Sequence, residues 1–600
     1  MRHAHYLKRI QGNESPQHLV FFDTETDEVK ISEKEVKHVL KFGYACYCKR
    51  DRFGNWTQPE YIRFTRLEDF WGFVFGKAQD KTKMYVFCHN TGFDLQVVNT
   101  FHYLEKSGYK LLGAVIEAPP TILRFRREKH TLLILDTLNF WRVPLKQLGD
   151  DVGLPKMEYE KARLNETDFE QYAKRDVEII HKAVTEWLDF IRDNNLGGFA
   201  PTVASQALRT FKHRFMSHNI GIHNDEKICR LERASFHGGR TEAFRIGEIG
   251  GPWYLVDFNS QYPAMMKYRT YPSKLLGRVR NLSISNLERL VKEYKVVCRV
   301  VLETVKPIYC NIANNKLTFP IGQFVTTLTT PEVIRALKDQ AIVEIQELVC
   351  YESAPIFEKF IDYFYGQRLI AKQSNDNLHA EFFKKIMNSL FGKFGQHGYV
   401  FKEVGHDPNM PNGYITDYDV VTGITTKRRV LNGLIQEFKQ EGESRDSFPA
   451  IAAHVTAEGR LLLWESIERA GIENVAYSDT DSLLVNNDGL ANLHAYLDKS
   501  ALGMLKVEKV YSNCVIHGLK DYQLDEVVKL KGIRKNATKI SENEYIQESW
   551  SSIKSALRNN HLDAPHIKLI KKSLSRGYDK GIIQPDGSVK PFKLTLGGVA

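Results

Sequence analysis

NVAYSDTDSLLV, residues 474–485, is the stretch from which the rest of the chain is read. Two apolar segments flank a polar tip, so the pattern predicts a hairpin with Asp479 and Asp481 at its turn. Well upstream, VDFNSQYP (256–263) places Asp257 at the end of another apolar strand, followed by a turn ending in Pro263. Two carboxylate loci, distant in sequence and each presented by a strand end, suit a two-metal centre for nucleotidyl transfer. In such a centre one ion lowers the pKa of an attacking hydroxyl and the other neutralises a triphosphate and its leaving group.

Between these loci lies KKIMNSLFGKFG (384–395). On a helix Lys384, Asn388 and Phe391 project together, at offsets of four and seven. That face offers an ammonium, an amide and an aromatic ring, next to Gly392, which permits close approach. Lys372 supplies a further positive charge from the paired helix. An amphipathic helix with Phe391 in the core would read the same way in isolation. Tyr262 packed beneath a nucleotide sugar would exclude the 2′-hydroxyl that separates RNA from DNA precursors.

A second acidic group lies near the N-terminus. Asp23 and Glu25, two apart in LVFFDTE, leave the same face of a buried strand, where unpaired carboxylates call for a metal. Asp94 follows the strand ending near His89-Asn90. A helix is expected over 167–190, capped by Thr167, with Tyr172 and Asp176 four apart on one face. Four carboxylates from three elements match what two divalent ions about 4 Å apart require. A DxE pair by itself arises often by chance; the order and context carry this one.

At 600 residues the chain has room for about four domains of roughly 150 residues. Lys plus Arg total 83 and Asp plus Glu 73, a formal charge of +10 that permits a polyanion groove without placing it. A hydrophobic content of 42% with 34 Phe and 27 Tyr excludes disorder as the main state. Eight scattered cysteines without a CxxC point to a reduced intracellular chain without structural zinc. No apolar run reaches the ~18 residues that span a bilayer, and MRHAHYLKRI lacks the apolar core of a secretory signal. The basic runs KLKGIRKNATK (529–539) and KKSLSRGYDK (571–580) suit either a DNA backbone or a solvated face.

Six segments, in this order, resemble the motifs of family B DNA polymerases with their own 3′–5′ exonuclease. FFDTET (21–26), HNTGFD (89–94) and YAKRD (172–176) resemble DxE, NxxFD and YxxxD. Asp257–Pro263, Lys384–Gly392 and Tyr477–Ser482 resemble DxxSLYP, KxxxNSxYG and YxDTDS, with Gln261 and Phe391 as departures. FHGG (236–239), TAEGR (456–460) and KDY (520–522) resemble the YxGG, TxxGR and KxY patterns of the protein-primed branch, known from linear-genome phages, adenoviruses and linear plasmids.

The resemblance implies an α/β multidomain chain, a ribonuclease H-like 3′–5′ exonuclease domain joined to a right-hand polymerase of palm, fingers and thumb with insertions. The expected divisions are 1–190 exonuclease, 191–250 linker, 251–352 palm start and first insertion, 353–397 fingers, 398–447 second insertion, 448–502 palm, and 503–600 thumb. It implies Asp257 and Asp481 on two metals, with Phe258 among the metal-binding positions and Asp479 in support. Lys384 and Lys372 would bind triphosphate, Ser260, Tyr262, Asn388, Phe391 and Gly392 would form the nucleotide pocket, and Lys520 and Tyr522 would steady the primer. Thr456 and Arg460 are further binding positions. In the exonuclease, Asp23, Glu25, Asp94 and Asp176 would hold metals, Tyr172 would orient water and Lys156 would assist. Asn90, Phe93, Thr137 and Leu138 would bind the frayed strand, while His89 fits a structural role.

Two Mg²⁺ ions per centre are implied, with Mn²⁺ as a substitute. The implied partners are primer-template DNA, deoxynucleoside triphosphates, a terminal protein and a single-stranded DNA-binding protein, with no membrane and a monomeric chain. Bacterial cytoplasm, an infected cell and a mitochondrion all suit it. A nucleic-acid-primed polymerase of the same family is the alternative. A nuclease with a silent polymerase half, or a DNA-binding factor, would leave intact carboxylates without a purpose.

Overall fold

Leu19 to Phe22 are wholly buried, as a continuous apolar run requires of a strand covered on both faces. In the computed structural model, which describes residues 2–78, 81–280, 282–596 and 598–599, this run opens β1 (His18–Ser32). Met1 of the basic opening stretch lies outside the described residues. β1 pairs antiparallel with β2 (Glu35–Lys49) and parallel with β3 (Lys83–Cys88). Helix α1 (Thr91–Val97) follows, and β4 (His130–Asp136) lies parallel to β3. The long helix α2 (Glu166–Asp193) packs on this sheet through Val177, Ile180 and Val184. Its cap is Asn165, whose Oδ1 accepts from Asp168 N at 2.8 Å. The expected cap, Thr167, falls inside the first turn, because the extended backbone that a cap needs occurs at Asn165.

Helix α3 (Glu226–Ser235) leads through the FHGG stretch into β5 (Thr241–Ala243), β6 (Gly247–Phe258) and α4 (Gln261–Tyr268). The paired helices α5 (Glu358–Gln373) and α6 (Asn377–Phe394) and the buried helix α7 (Pro449–Ala470) come next. The hairpin β7 (Val475–Asp479) and β8 (Ser482–Val485) is followed by β9 (Leu505–Gly518) and β10 (Asp521–Leu524). The sheet runs β5–β7–β8–β6–β9–β10 and ends on Val527–Lys529. Two strands near the C-terminus, β11 (Glu544–Trp550) and β12 (His566–Ser573), extend the N-terminal sheet through β12 pairing with β2. No helix among the described residues is long and apolar enough to cross a membrane.

Several expected boundaries move. Residues 241–243 and 505–529 hydrogen-bond into the sheet of β6, β7 and β8. Neither 250/251 nor 502/503 is therefore a structural border, since strand pairing joins segments far apart in sequence. The fingers segment expected from 353 opens on the end of a strand that runs to Ala354, and its first helix starts at Glu358. Pro263 lies within the first turn of α4 rather than ending the preceding turn; N–H groups there have no intrahelical acceptor, so proline forfeits nothing. The second insertion, expected at 398–447, is ordered as a four-stranded antiparallel sheet within 397–443.

Candidate active sites

Two carboxylate groups form, one at each sheet. β1 sends out Asp23 and Glu25, and its pairing with β2 slips immediately after Glu25, a bulge of the kind that re-aims side chains. With Asp176 from α2 these residues bring ligand atoms within 4.8 Å of one another. Asp94 on α1 is buried, and its Oδ1 accepts from Thr24 Oγ1 at 2.6 Å.

Burial pushes all four carboxyls up. Asp23 rises well above the usual range, with Asp94, Asp176 and Glu25 adding repulsion. Glu25 rises to about 8 through burial and Asp176. Asp94 reaches about 7 against the hydrogen bond from Thr24, and Asp176 about 6 against the Lys156 ammonium. Lys156 Nζ donates to Asp176 and sits 4.3 Å above the Tyr172 ring. Asp176 Oδ1 is buried without a partner among the described residues. One ammonium against four carboxylates and an orphaned oxygen form a donor set that a divalent cation fits.

Asp136 was missed in the sequence. Its carboxylate accepts from Asn90 N and Thr91 N at 3.0 Å, Thr91 Oγ1 at 2.8 Å and Leu138 N at 2.9 Å, tying HNTGFD to Thr137-Leu138. The signal was there: LLILD (132–136) is another apolar strand ending in aspartate. Thr137 is fully buried, with Oγ1 2.8 Å from His89 Nδ1, and His89 Nε2 lies 3.0 Å from Val143 O, so His89 is structural. Thr137 therefore holds the loop in place. The Phe93 ring centroid is 5.6 Å from that of Trp550, brought by β11 from the far end of the chain.

In the second group, β6 and β8 pair Asp257 with Ser482, and Phe258 N donates to Asp481 O at 2.9 Å, so Asp257 and Asp481 are neighbours. Burial and Asp481 push Asp257 up to about 7 against Lys506 and Lys384; burial likewise raises Asp481 against Lys384. Lys506, opposite Asp257 on β9, was not singled out in the sequence. Nor was Arg368, one turn before Lys372 on α5, whose guanidinium donates to Ser260 Oγ at 2.9 Å. Burial, Arg368, Lys506 and Lys384 together lower the Lys372 pKa, placing these cations around one space.

Tyr262 and Phe391 rings lie 5.0 Å apart, and Gly392 faces open space. Asn388 donates to Lys384 O at 2.9 Å on its own helix. A cleft of about 470 Å³ is lined by Tyr477, Asp479, Asp481, Tyr522 and Lys529. Lys520 Nζ is 3.7 Å from Asp479 Oδ2, and its N–H donates to Tyr477 Oη at 3.0 Å.

Thr456 and Arg460, expected among the binding residues, are buried in α7 instead. Arg460 pairs with buried Glu332 at 2.7 Å and donates to His237 O and Gly238 O at 3.0 and 3.1 Å. A buried guanidinium needs its donors satisfied, and here they fasten the FHGG stretch to α7. Gln261, the departure beside the carboxylate turn, is buried and donates to Gly459 O at 3.1 Å. A second cluster, His223, Cys229 and Glu232, also gathers ligand atoms within 4.8 Å. The Arg2 guanidinium lies 3.5 Å from Cys229 Sγ, and Glu232 Oε1 meets both Tyr351 Oη at 2.8 Å and His223 Nε2 at 2.9 Å, while Glu232 Oε2 has no partner among the described residues.

Comparison with known proteins agrees with this geometry. Residues 153–427 match the family described as DNA polymerase type B, organellar and viral. A probable DNA polymerase of Neurospora intermedia is 24% identical over 401 residues, covering 60% of this chain and 40% of that protein. The DNA-directed DNA polymerase of Enterobacteria phage PRD1 is 25% identical over 483 residues, 77% of this chain and 79% of that one. Phi29 DNA polymerase complexed with primer-template DNA and incoming nucleotide superposes with a TM-score of 0.67 at 15% identity, over 93% of this chain and all of that one. Its complex with single-stranded DNA gives 0.63 at 16% identity, over the same shares. In motif order, paired carboxylate groups and fold the chain is similar to type B DNA polymerases, in parallel with those of phi29 and PRD1.

Proposed function

We propose that the chain copies a DNA template from deoxynucleoside triphosphates and trims 3′ ends at a separate exonuclease centre. The observation that carries this is the strand pairing that sets Asp257 beside Asp481 near the cations of α5 and α6. Asp257 and Asp481, with Phe258 adjoining and Asp479 in support, would hold two divalent ions, Mg²⁺ or Mn²⁺. When bound, such ions acidify the primer hydroxyl and neutralise the triphosphate. Lys384, Lys372 and Arg368 bind triphosphate oxygens, and Tyr262 against Phe391 closes the sugar side of the pocket. Lys520 and Tyr522 steady the primer end beside Asp479.

In the N-terminal domain, ribonuclease H-like in its role, Asp23, Glu25, Asp94 and Asp176 would hold the ions of the exonuclease. Lys156 keeps Asp176 ionised and oriented, Tyr172 aligns the water, and Asn90, Phe93 and Leu138 receive the frayed strand. The FHGG and KDY stretches and the two extra sheets, one formed by strands of 271–354 with Lys593–Thr595 and Gly598–Val599 and one within 397–443, favour a terminal-protein hydroxyl as the starting primer and strand displacement during synthesis. A mitochondrion or an infected cell is the setting that the organellar and viral family suggests.

The test is extension of a labelled primer on circular single-stranded DNA with Mg²⁺ and no other protein. Products longer than one circle are expected; shortening of the primer without extension would overturn the polymerase reading. Transfer of a deoxynucleotide onto a protein hydroxyl tests the priming step.

A further inference from the structure

The hairpin tip between β7 and β8 is strained. Thr480, a β-branched residue, has φ +63°, a conformation that persists only where neighbours impose it. The neighbour here is β5 and the residue before it. Thr480 N donates to Arg240 O at 2.7 Å, and Thr241 Oγ1 donates to Asp479 Oδ1 at 3.0 Å. Arg240 is itself fixed, fully buried between the Phe319 and Trp464 rings at 4.1 and 4.4 Å and paired with Glu242.

β5 is a three-residue edge strand, and so short an edge is weak unless its outward groups are satisfied. They are satisfied by the C-terminal segment. Lys580 Nζ donates to Thr241 O at 3.1 Å, and Ala243 N donates to Tyr578 Oη at 3.2 Å. Further along, Ile246 N donates to Gly587 O at 2.8 Å and Val589 N to Phe244 O at 2.9 Å. The segment is anchored beyond these contacts. Asp579 pairs with Lys316, and Lys593–Thr595 runs parallel to Ile321–Thr329, with Leu594 buried in the core beneath.

On the reading of Asp479 as a carboxylate of the polymerising centre, we infer that residues 578–589 are a strap that holds β5, and through it the strained Thr480 turn, in working geometry. Tyr578 and Lys580 are its positioning residues; neither lines the cleft that holds Asp479 and Asp481. The chain reaches the strap directly from β12, which belongs to the N-terminal sheet. One C-terminal stretch thus tethers the polymerising carboxylates to the body that carries the other acidic group.

The test compares the full-length chain with Tyr578→Phe, Lys580→Met and the double variant, using two readouts. The first is hydrogen exchange over the peptide 475–485, which needs no activity. It is expected to quicken several-fold in the double variant while peptides of β1 and α2 are unchanged. The second is single-nucleotide addition, expected to slow by about 10- to 100-fold through misplacement of Asp479, with a higher Mg²⁺ requirement, unchanged primer-template affinity and unchanged decay of a single-stranded oligonucleotide. Exchange at 475–485 identical to the parent would overturn the strap. A parent chain that adds no nucleotide would overturn the polymerase reading instead, and the exchange result would still decide the strap. Lys580→Arg, which keeps a donor, is expected to retain most of the parent's protection and rate.

Discussion

Asp481 and Asp23 belong to carboxylate groups on different sheets, so their losses are separable. Asp481→Asn is expected to cut nucleotide addition on the order of 10³-fold, several kcal/mol of lost metal stabilisation, while decay of a labelled single-stranded oligonucleotide continues. Asp23→Ala is expected to do the reverse. Glu25 gives a pH prediction. Its folded pKa, about 8, lies above the unfolded carboxyl value, so the native state holds the proton more tightly. In chelator, the Glu25 contribution to stability is present below the unfolded pKa and is lost as pH rises toward 8. Glu25→Gln, which stays neutral, is expected to melt progressively higher than the parent between pH 5 and pH 8. Mg²⁺ should narrow that difference at pH 8, as thermal melts would show; parallel melting curves across that range would refute it.

At the scale of elements, α4 and α7 pack closely at Tyr262. A Cβ on Gly459 would lie 2.8 Å from Tyr262 Cε1 and 3.0 Å from Gln261 Oε1. Gly459→Ala is therefore expected to displace the Tyr262 ring, raise the KM for deoxynucleotides more than it lowers kcat, and cost about 1–3 kcal/mol of stability by overpacking. Steady-state kinetics and denaturant melts check both parts. Arg460→Leu should cost about 3–5 kcal/mol, because it strands Glu332 as a buried charge. The TAEGR pattern was legible in sequence, but its meaning was not. Only packing shows that its glycine clears Tyr262 and its arginine fastens FHGG.

At the scale of the whole molecule, the sheet of residues 397–443 is riveted to the N-terminal body. Leu431 and Leu434 are buried in that body's core, and buried Arg429 donates to Ala114 O at 2.9 Å. Arg429→Met is expected to loosen this junction. Extension on open single strands would then survive while extension through a duplex loses most of its rate; equal loss on both templates would count against a role in strand displacement. The C-terminal segment packs on the same body beside this sheet, with Trp550 against Phe93, Lys554 paired with Glu117 at 2.7 Å and the Arg558 guanidinium 5.4 Å from the Tyr414 ring.

The sequence by itself determined the chemistry: apolar runs ending in Asp23, Asp257 and the Asp479–Asp481 turn are local patterns, and burial with alternation makes such runs strands wherever they occur. The long helix bearing Tyr172 and Asp176 was legible for the same reason. Tertiary structure alone decided which distant segments share a sheet. It moved residues 241–243 and 505–529 into the sheet of Asp257, placed Lys506 opposite Asp257 and Arg368 against Ser260, and gave KKSLSRGYDK a half-buried tyrosine and lysine gripping β5. Strand pairing, buried ion pairs and close packing join residues hundreds of positions apart, and no local periodicity encodes their partners.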